Sequence, residues 1–188
     1  SSILKVDTLQ DSGGNAIISS NGSGTFTSSL PNTGITEADQ WRITTSANYT
    51  GVGNDLTVNW ERNDTNFDKI GTGMSESSGI FTFPSTGIYY ITYRCQIFMT
   101  NTNQFAGIMA HVSTDSGSNF TERAAAYGGS GASNEYTSAE GDLMLDVTNA
   151  STFRVKFRTH NQSGQQAQYI GDGNGQATGV TFLRLGAT

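Results

Sequence analysis

Short segments in which apolar and polar residues alternate recur from Trp41 onwards. In residues 153–158, for example, apolar side chains alternate with Arg154, Lys156 and Arg158. A two-residue period is typical of a strand with one buried face, and we find no convincing long helical pattern. Evenly spaced short strands without helices predict an antiparallel β-sandwich or barrel.

Clusters of turn-forming residues lie between these segments and define their limits. The predicted strands are 41–46, 56–62, 79–84, 87–100, 105–115, 121–129, 141–148, 151–160 and 177–186. The predicted turns and loops are 51–55, 71–73, 100–104, 115–119, 128–133 and 162–175.

The segment GIFTFPSTGIYYITY, residues 79–93, contains a proline between two strand-like runs. Proline cannot donate a hydrogen bond to a neighbouring strand, so Pro84 marks a strand end. Gly87 supplies the backbone freedom that a reversal needs. On the strand that follows, one set of side chains is expected to face the core: Tyr89, Ile91, Tyr93, Cys95 and Ile97. The alternate set is expected to face away from it: Ile88, Tyr90, Thr92, Arg94 and Gln96.

The composition narrows the possible functions. A chain of 188 residues predicts one domain with a short appendage. The net charge of −6 and the pI near 4.7 argue against nucleic-acid binding, which needs a basic patch. The single cysteine, Cys95, excludes an intrachain disulfide and is expected to be a buried thiol. The apolar runs are too short for membrane insertion, and we expect a soluble protein without a signal peptide.

Residues 1–36 differ from the rest of the chain. Their apolar positions (Ile3, Leu4, Val6 and Leu9) precede two turn signals, and the pattern predicts two or three short strands with hairpins. This segment has too few large apolar side chains to bury a core alone. We therefore expect an N-terminal arm at 1–36 that needs a partner, followed by a larger domain at 37–188.

The larger domain resembles the complement C1q and tumour necrosis factor (TNF) jelly-roll domains over residues 38–186. Phe67-Asp68, Gly141-Asp142 and the strand 179–185 each look like the corresponding piece of that family. Its central signature matches at Gly79, Phe81, Pro84, Gly87, Tyr89 and Tyr93. The resemblance implies an all-β, C1q/TNF-like antiparallel jelly-roll sandwich that forms a homotrimer. No collagen-like stalk precedes the domain in this sequence.

An aromatic-rich face holds the trimer together in that family, and the segment IYYITY provides aromatic surface with polar tips. The residues expected at the trimer interface or in the core are Tyr89, Tyr90, Tyr93 and Phe182. Sequence alone does not separate these two roles.

The first residues, SSILKVDTLQDSGGNAIISSNGSGTF, resemble the N-terminal pieces of bacteriophage fibres and other virion appendage proteins. Together the resemblances imply a virion structural protein, made in the host cytoplasm. It would be a fibre, spike or capsid decoration that the arm anchors to other capsid or tail proteins. Two alternatives remain: a secreted C1q-like module that binds carbohydrate or protein, and a small carbohydrate-active enzyme, for which no motif is present.

No catalytic or cofactor motif stands out. His111 and His160 lack metal-ligand spacing, and no Gly-x-Ser-x-Gly elbow supports a serine nucleophile. We therefore expect no enzyme activity and no cofactor. The Gly-rich run 171–175 superficially resembles a calcium loop, and Asp172 is the candidate ligand, but the later glutamate of an EF-hand is missing.

Two polar segments, 128–135 and 162–175, suit contacts with a host cell-surface glycan, because amide and tyrosine side chains can hydrogen-bond and stack on sugars. The candidate receptor residues in or beside them are Tyr127, Asn134, Tyr169 and Asn174. The alternative is that both segments are solvated connections.

Overall fold

The computed structural model describes residues 6–28, 34–57, 59–101 and 105–188. The chain divides into two compact units, Ser1–Gly34 and Ile35–Thr188. This division lies close to the boundary predicted after residue 36. Among the described residues there is no helix, and hence none that could cross a membrane.

The first unit contains a three-stranded antiparallel sheet in the order β1-β2-β3. Its strands are β1 (Thr8–Gln10), β2 (Ala16–Ser20) and β3 (Phe26–Ser28). The Asp11 carboxylate accepts a hydrogen bond from the Asn15 backbone N–H (2.9 Å) and closes the first hairpin. Asn21 Oδ1 accepts one from the Ser23 N–H (2.8 Å) in the second turn. The predicted short hairpin strands are confirmed.

The second unit consists of strands whose pairings are all antiparallel. The strands are β4 (Ala38–Ile43), β5 (Ala47–Thr50), β6 (Val52–Asp55), β7 (Trp60–Arg62), β8 (Lys69–Ile70), β9 (Ser75–Ser77), β10 (Ile80–Thr82), β11 (Gly87–Met99), β12 (Phe105–Ser113), β13 (Thr121–Gly129), β14 (Glu135–Val147), β15 (Arg154–Asn161), β16 (Gln166–Tyr169) and β17 (Gly179–Gly186).

These strands form two sheets. In the large sheet, β11 pairs along one edge with β14 and along the other with β17 and β16. Strand β4 lies beyond β17 and also pairs with β7 and β8, and β5 lies beyond β16. The small sheet has the order β13-β12-β15-β10-β9, with β6 also paired to β15.

The two sheets enclose one hydrophobic core with many aromatic rings. The rings of Tyr93 in the large sheet and Phe157 in the small sheet lie 5.5 Å apart, and those of Phe182 and Phe81 lie 5.3 Å apart. Cys95 is buried there, and burial raises the pKa of its thiol to about 12. The predicted antiparallel sandwich and the buried thiol are confirmed.

The proline-containing reversal forms where the sequence predicts it. Strand β10 ends at Thr82, before Pro84, and β11 begins at Gly87. A Cβ atom at Gly87 would collide with the Gly186 carbonyl oxygen, and the backbone φ of 145° also favours glycine. The hydroxyl of Tyr89 donates to the Ser85 carbonyl (3.0 Å) and fixes the turn from inside.

Three local predictions are wrong. Strand β6 lies within the predicted turn 51–55, because Asp55 pairs with Arg158 on the distant strand β15. Strand β16 lies within the predicted loop 162–175, where it pairs with β5 and β11. In the predicted strand 56–62, the described residues are strand only at β7, because Asn59 has a positive φ of 58° that interrupts the extended backbone.

Candidate functional site

The outer face of the large sheet carries a line of apolar side chains. Along β11, alternate residues point away from the core, as predicted, and Tyr90 is one of them. Cross-strand pairing aligns this tyrosine with apolar residues on four neighbouring strands. We call this set the apolar row; it consists of Met144, Tyr90, Leu183, Ala38 and Ile70.

Parts of the apolar row are open to solvent. Met144 is 55% exposed and Ile70 is 42% exposed, while Tyr90 and Leu183 are half-buried. A contiguous apolar patch on an outer face is a common mark of an interaction surface. Directly opposed side chains on adjacent strands are close neighbours, so Met144, Tyr90 and Leu183 form one continuous apolar surface. Ala38, which separates Leu183 from Ile70, is only 3% exposed.

A polar cavity of about 420 Å³ lies beside the apolar row on the same face. On the same face, Thr92 lies two residues after Tyr90 on β11, and Thr181 lies two residues before Leu183 on β17. Arg94 and Glu140, which pair across β11 and β14, lie beyond them. Arg94 Nε lies 3.7 Å from the Glu140 carboxylate. This cavity offers hydrogen-bonding groups and charges of both signs, which suits a polar rim around an apolar contact.

A buried polar network holds the segment after β7 against β4. The carboxylate of Asp39, almost fully buried, accepts hydrogen bonds from Arg62 Nε (2.9 Å), Trp41 Nε1 (2.9 Å) and the Met74 N–H (2.7 Å). The hydrogen bond to Asp39 raises the pKa of Arg62. The network is a structural support, because each of its charges already has a partner.

The structure separates the four residues predicted for the trimer interface or the core. Tyr89, Tyr93 and Phe182 are at most 2% exposed and belong to the core. Only Tyr90 lies on the outer face, in the apolar row. The alternation in β11 anticipated Tyr90's orientation, but nothing local in the sequence indicated that Met144 or Leu183 would lie beside it.

The candidate receptor residues do not form one site. Asn134 and Asn174 are exposed in connections, and Tyr127 lies on strand β13, half-exposed. The placement of Tyr169 in an exposed loop is wrong, because it lies on β16 and is fully buried. Its hydroxyl reaches Asn161 Oδ1 at 2.9 Å in the interior.

The calcium candidate Asp172 serves a turn. Its Oδ1 accepts a hydrogen bond from the Asn174 backbone N–H at 2.8 Å. Within the described ranges, no group of three or more His, Cys, Asp or Glu side chains could hold a metal ion. Calcium binding at Asp172 stays a prediction.

Two of the residues predicted to anchor the arm, Val6 and Leu9, lie within the described part of the chain. Val6 is 54% exposed and Leu9 is 50% exposed, and Phe26, on β3 of the arm's sheet, is 65% exposed. Ile3 and Leu4 lie outside the described residues. Apolar side chains with this exposure are available to a partner.

Comparison with known proteins identifies the fold. No family model matches the chain, and no curated protein matches it. The Eiger TNF structure from S. frugiperda superposes with a TM-score of 0.61 at 10% identity, over 80% of this chain and 93% of that one. Murine APRIL structures at pH 8.5 and pH 5.0 give TM-scores of 0.55 and 0.56, at 11% and 12% identity, each over 79% of this chain and 98% of theirs. These similarities confirm the TNF-like jelly roll and show the fold alone.

Proposed function

We propose that this protein is a trimeric structural component of a bacteriophage virion, a fibre, spike or capsid decoration. Three jelly-roll heads pack together through the outer faces of their large sheets. The N-terminal arm attaches to another capsid or tail protein, and the head projects and contacts the host surface.

The apolar row is the observation that best supports the proposed trimer. It crosses five strands of the large sheet, and Met144 and Ile70 would lose contact with water if another copy covered them. Burial of apolar area stabilises association by about 25 cal/mol per Å² before the costs of association. A closed symmetric oligomer is the usual way in which identical chains cover such a face. The hydroxyl of Tyr90 suits it to the edge of a wet interface.

The arm supports attachment to a larger assembly. Its three short strands leave Val6, Leu9 and Phe26 exposed. A sheet of this size gains stability when a partner covers its apolar side chains. The resemblance of residues 1–26 to phage fibre N-termini is the reason for choosing a virion protein as that partner.

We assign no catalytic step to the chain. The candidate groups for chemistry have structural roles: Cys95 is buried with a raised thiol pKa, and Asp172 closes a turn. His111 is nearly buried, and burial lowers the pKa of its imidazole.

The test is the location of the chain in purified particles. Peptide mass spectrometry of gradient-purified virions should detect it, and cryo-electron microscopy should place the arm in contact with a capsid or tail protein. If the chain occurs only in particle-free medium, the virion role is wrong, and the secreted C1q-like binding module becomes the better account.

A further inference from the structure

The outer face of the small sheet carries three aromatic rings in mutual contact. The Tyr127 ring lies 5.1 Å from the imidazole of His160 and 5.8 Å from the Phe105 ring. The Phe105 and His160 rings are 5.7 Å apart. All three contacts have edge geometry, the arrangement that aromatic pairs favour. We call this cluster the aromatic platform.

A glycine makes room for the aromatic platform. Gly107 on β12 pairs with Tyr127 on one side and with His160 on the other. A Cβ atom at position 107 would lie 2.7 Å from Tyr127 Cδ1 and would also collide with the Ala126 carbonyl oxygen. The missing side chain therefore lets the two rings approach each other across the strand.

The Tyr127 ring is fixed and yet open to solvent. It is 50% exposed, and its hydroxyl lies 3.1 Å from His160 Nδ1. Partial burial raises the pKa of Tyr127, so the hydroxyl keeps its proton and can hydrogen-bond to this nitrogen in either imidazole tautomer. An exposed ring that is already immobilised loses little conformational entropy when a ligand stacks on it.

The same hydrogen bond orients the imidazole. Nδ1 is engaged by Tyr127, and Nε2 is the ring nitrogen left for a ligand. The platform thus combines an apolar ring face with a neighbouring ring nitrogen, His160 Nε2, that can form a hydrogen bond with a ligand. The Sδ atom of Met109 lies 3.2 Å from the same Nδ1 and further restricts the imidazole.

The surroundings favour an uncharged ligand. Arg158, two residues before His160 on β15, is paired through Nε with Asp55 at 2.8 Å. Lys156 is paired with the same carboxylate at 2.8 Å. A charged ligand would compete with these ion pairs, whereas a neutral polyol would use the exposed face of the Tyr127 ring and the imidazole Nε2.

We propose that the aromatic platform binds a pyranose ring of a neutral cell-surface glycan. The C–H face of the sugar stacks on Tyr127, and a sugar hydroxyl forms a hydrogen bond with His160 Nε2. This inference deepens the host contact in the proposed function and rests on it. The competing reading is purely structural: the Tyr127 ring covers Gly107 and stabilises strand pairing.

The test is saturation-transfer NMR on the full chain, with methyl β-D-galactopyranoside, methyl β-D-glucopyranoside and methyl α-D-mannopyranoside as probes. At least one glycoside should receive saturation at its ring C–H protons. Tyr127→Ala should weaken that binding at least about fivefold. The matched control is Tyr136→Ala, because Tyr136 is 65% exposed on the other sheet, and it should bind as the wild type does.

His160→Gln provides a second variant that keeps the tyrosine ring, should Tyr127→Ala fail to fold. It should also weaken binding, and thermal melting establishes that it is folded. No saturation with any of the glycosides, or equal binding by wild type and by folded variants at both positions, overturns the proposal. Neither result bears on the presence of the chain in virions, which the particle analysis decides separately.

Discussion

The hydroxyl of Tyr169 lies 2.6 Å from the backbone carbonyl oxygen of Gly107. This hydrogen bond joins the two sheets, since Tyr169 lies on β16 of the large sheet and Gly107 on β12 of the small one. Burial raises the pKa of Tyr169, so the hydroxyl remains a donor. Tyr169, which the sequence predicted as a surface contact, therefore links the two sheets inside the sandwich.

Replacing this tyrosine should therefore destabilise the head. Tyr169→Phe leaves the Gly107 carbonyl without this donor and should lower the free energy of unfolding by about 1–3 kcal/mol. Urea denaturation followed by fluorescence measures the change. Tyr136→Phe is the matched control, because Tyr136 is 65% exposed, and should differ little from wild type. Equal stability of the two variants would show that the buried hydrogen bond contributes nothing.

Substitution in the Asp39 network should cost more stability than Tyr169→Phe. Asp39→Asn keeps the shape of the side chain but removes the charge that faces Arg62, and breaking a buried pair costs about 3–5 kcal/mol. Asp146→Asn, an exposed carboxylate on β14, is the control and should stay near wild type. The midpoint of denaturant unfolding measures both. A loss below about 0.5 kcal/mol for Asp39→Asn, the usual range for surface substitutions, would contradict the role given to the network.

Stability should fall in mild acid because of His111. Burial is the main cause that lowers the pKa of its imidazole below the ordinary 6.5. The charged side chains around it are Glu122 on β13, Lys156 and Arg158 on β15, and Asp55 on β6. The unfolded chain binds the proton at a higher pH than the folded chain does. The free energy of unfolding therefore decreases as pH falls from about 6.5 towards the folded pKa.

The His111→Gln variant checks this assignment. Its stability, measured by denaturant unfolding at a series of pH values, should change less than that of wild type in the window just below pH 6.5. Parallel curves for the two proteins would assign the acid sensitivity to other groups.

The arm should be the protease-sensitive part of the isolated protein. Leu9 and Phe26 are exposed apolar cleavage sites on very short strands. Brief chymotrypsin treatment should cut after Leu9 and Phe26, within the arm, and leave the head intact, as mass spectrometry would show. In purified particles the same sites should be protected. An arm that resists digestion when isolated would remove the main support for anchoring.

Local pattern in the sequence was enough to predict much of the fold. Alternation along residues 88–98 separated Tyr90 from Tyr89 and Tyr93, and Pro84 located the reversal. These features depend on neighbouring residues only. Strand β16 was missed because its polar, glycine-flanked sequence is held extended by pairing with β5 and β11, which are distant in the chain.

The candidate sites were less predictable for the same reason. The apolar row exists because the register of β11 aligns Tyr90 with Met144 and Leu183. The aromatic platform exists because Gly107 lies between Tyr127 and His160. Both depend on which residues face each other across strands, and no single segment contains that information.

The most direct test of the central claim is the mass of the isolated full chain by multi-angle light scattering at micromolar concentration. The apolar row predicts a particle of three times the 20.0 kDa chain mass. Tyr90→Arg should reduce that mass towards a single chain, whereas Tyr127→Arg, on the other sheet, should leave it unchanged. A wild-type mass of one chain, or a trimer that Tyr90→Arg does not weaken, would contradict the account.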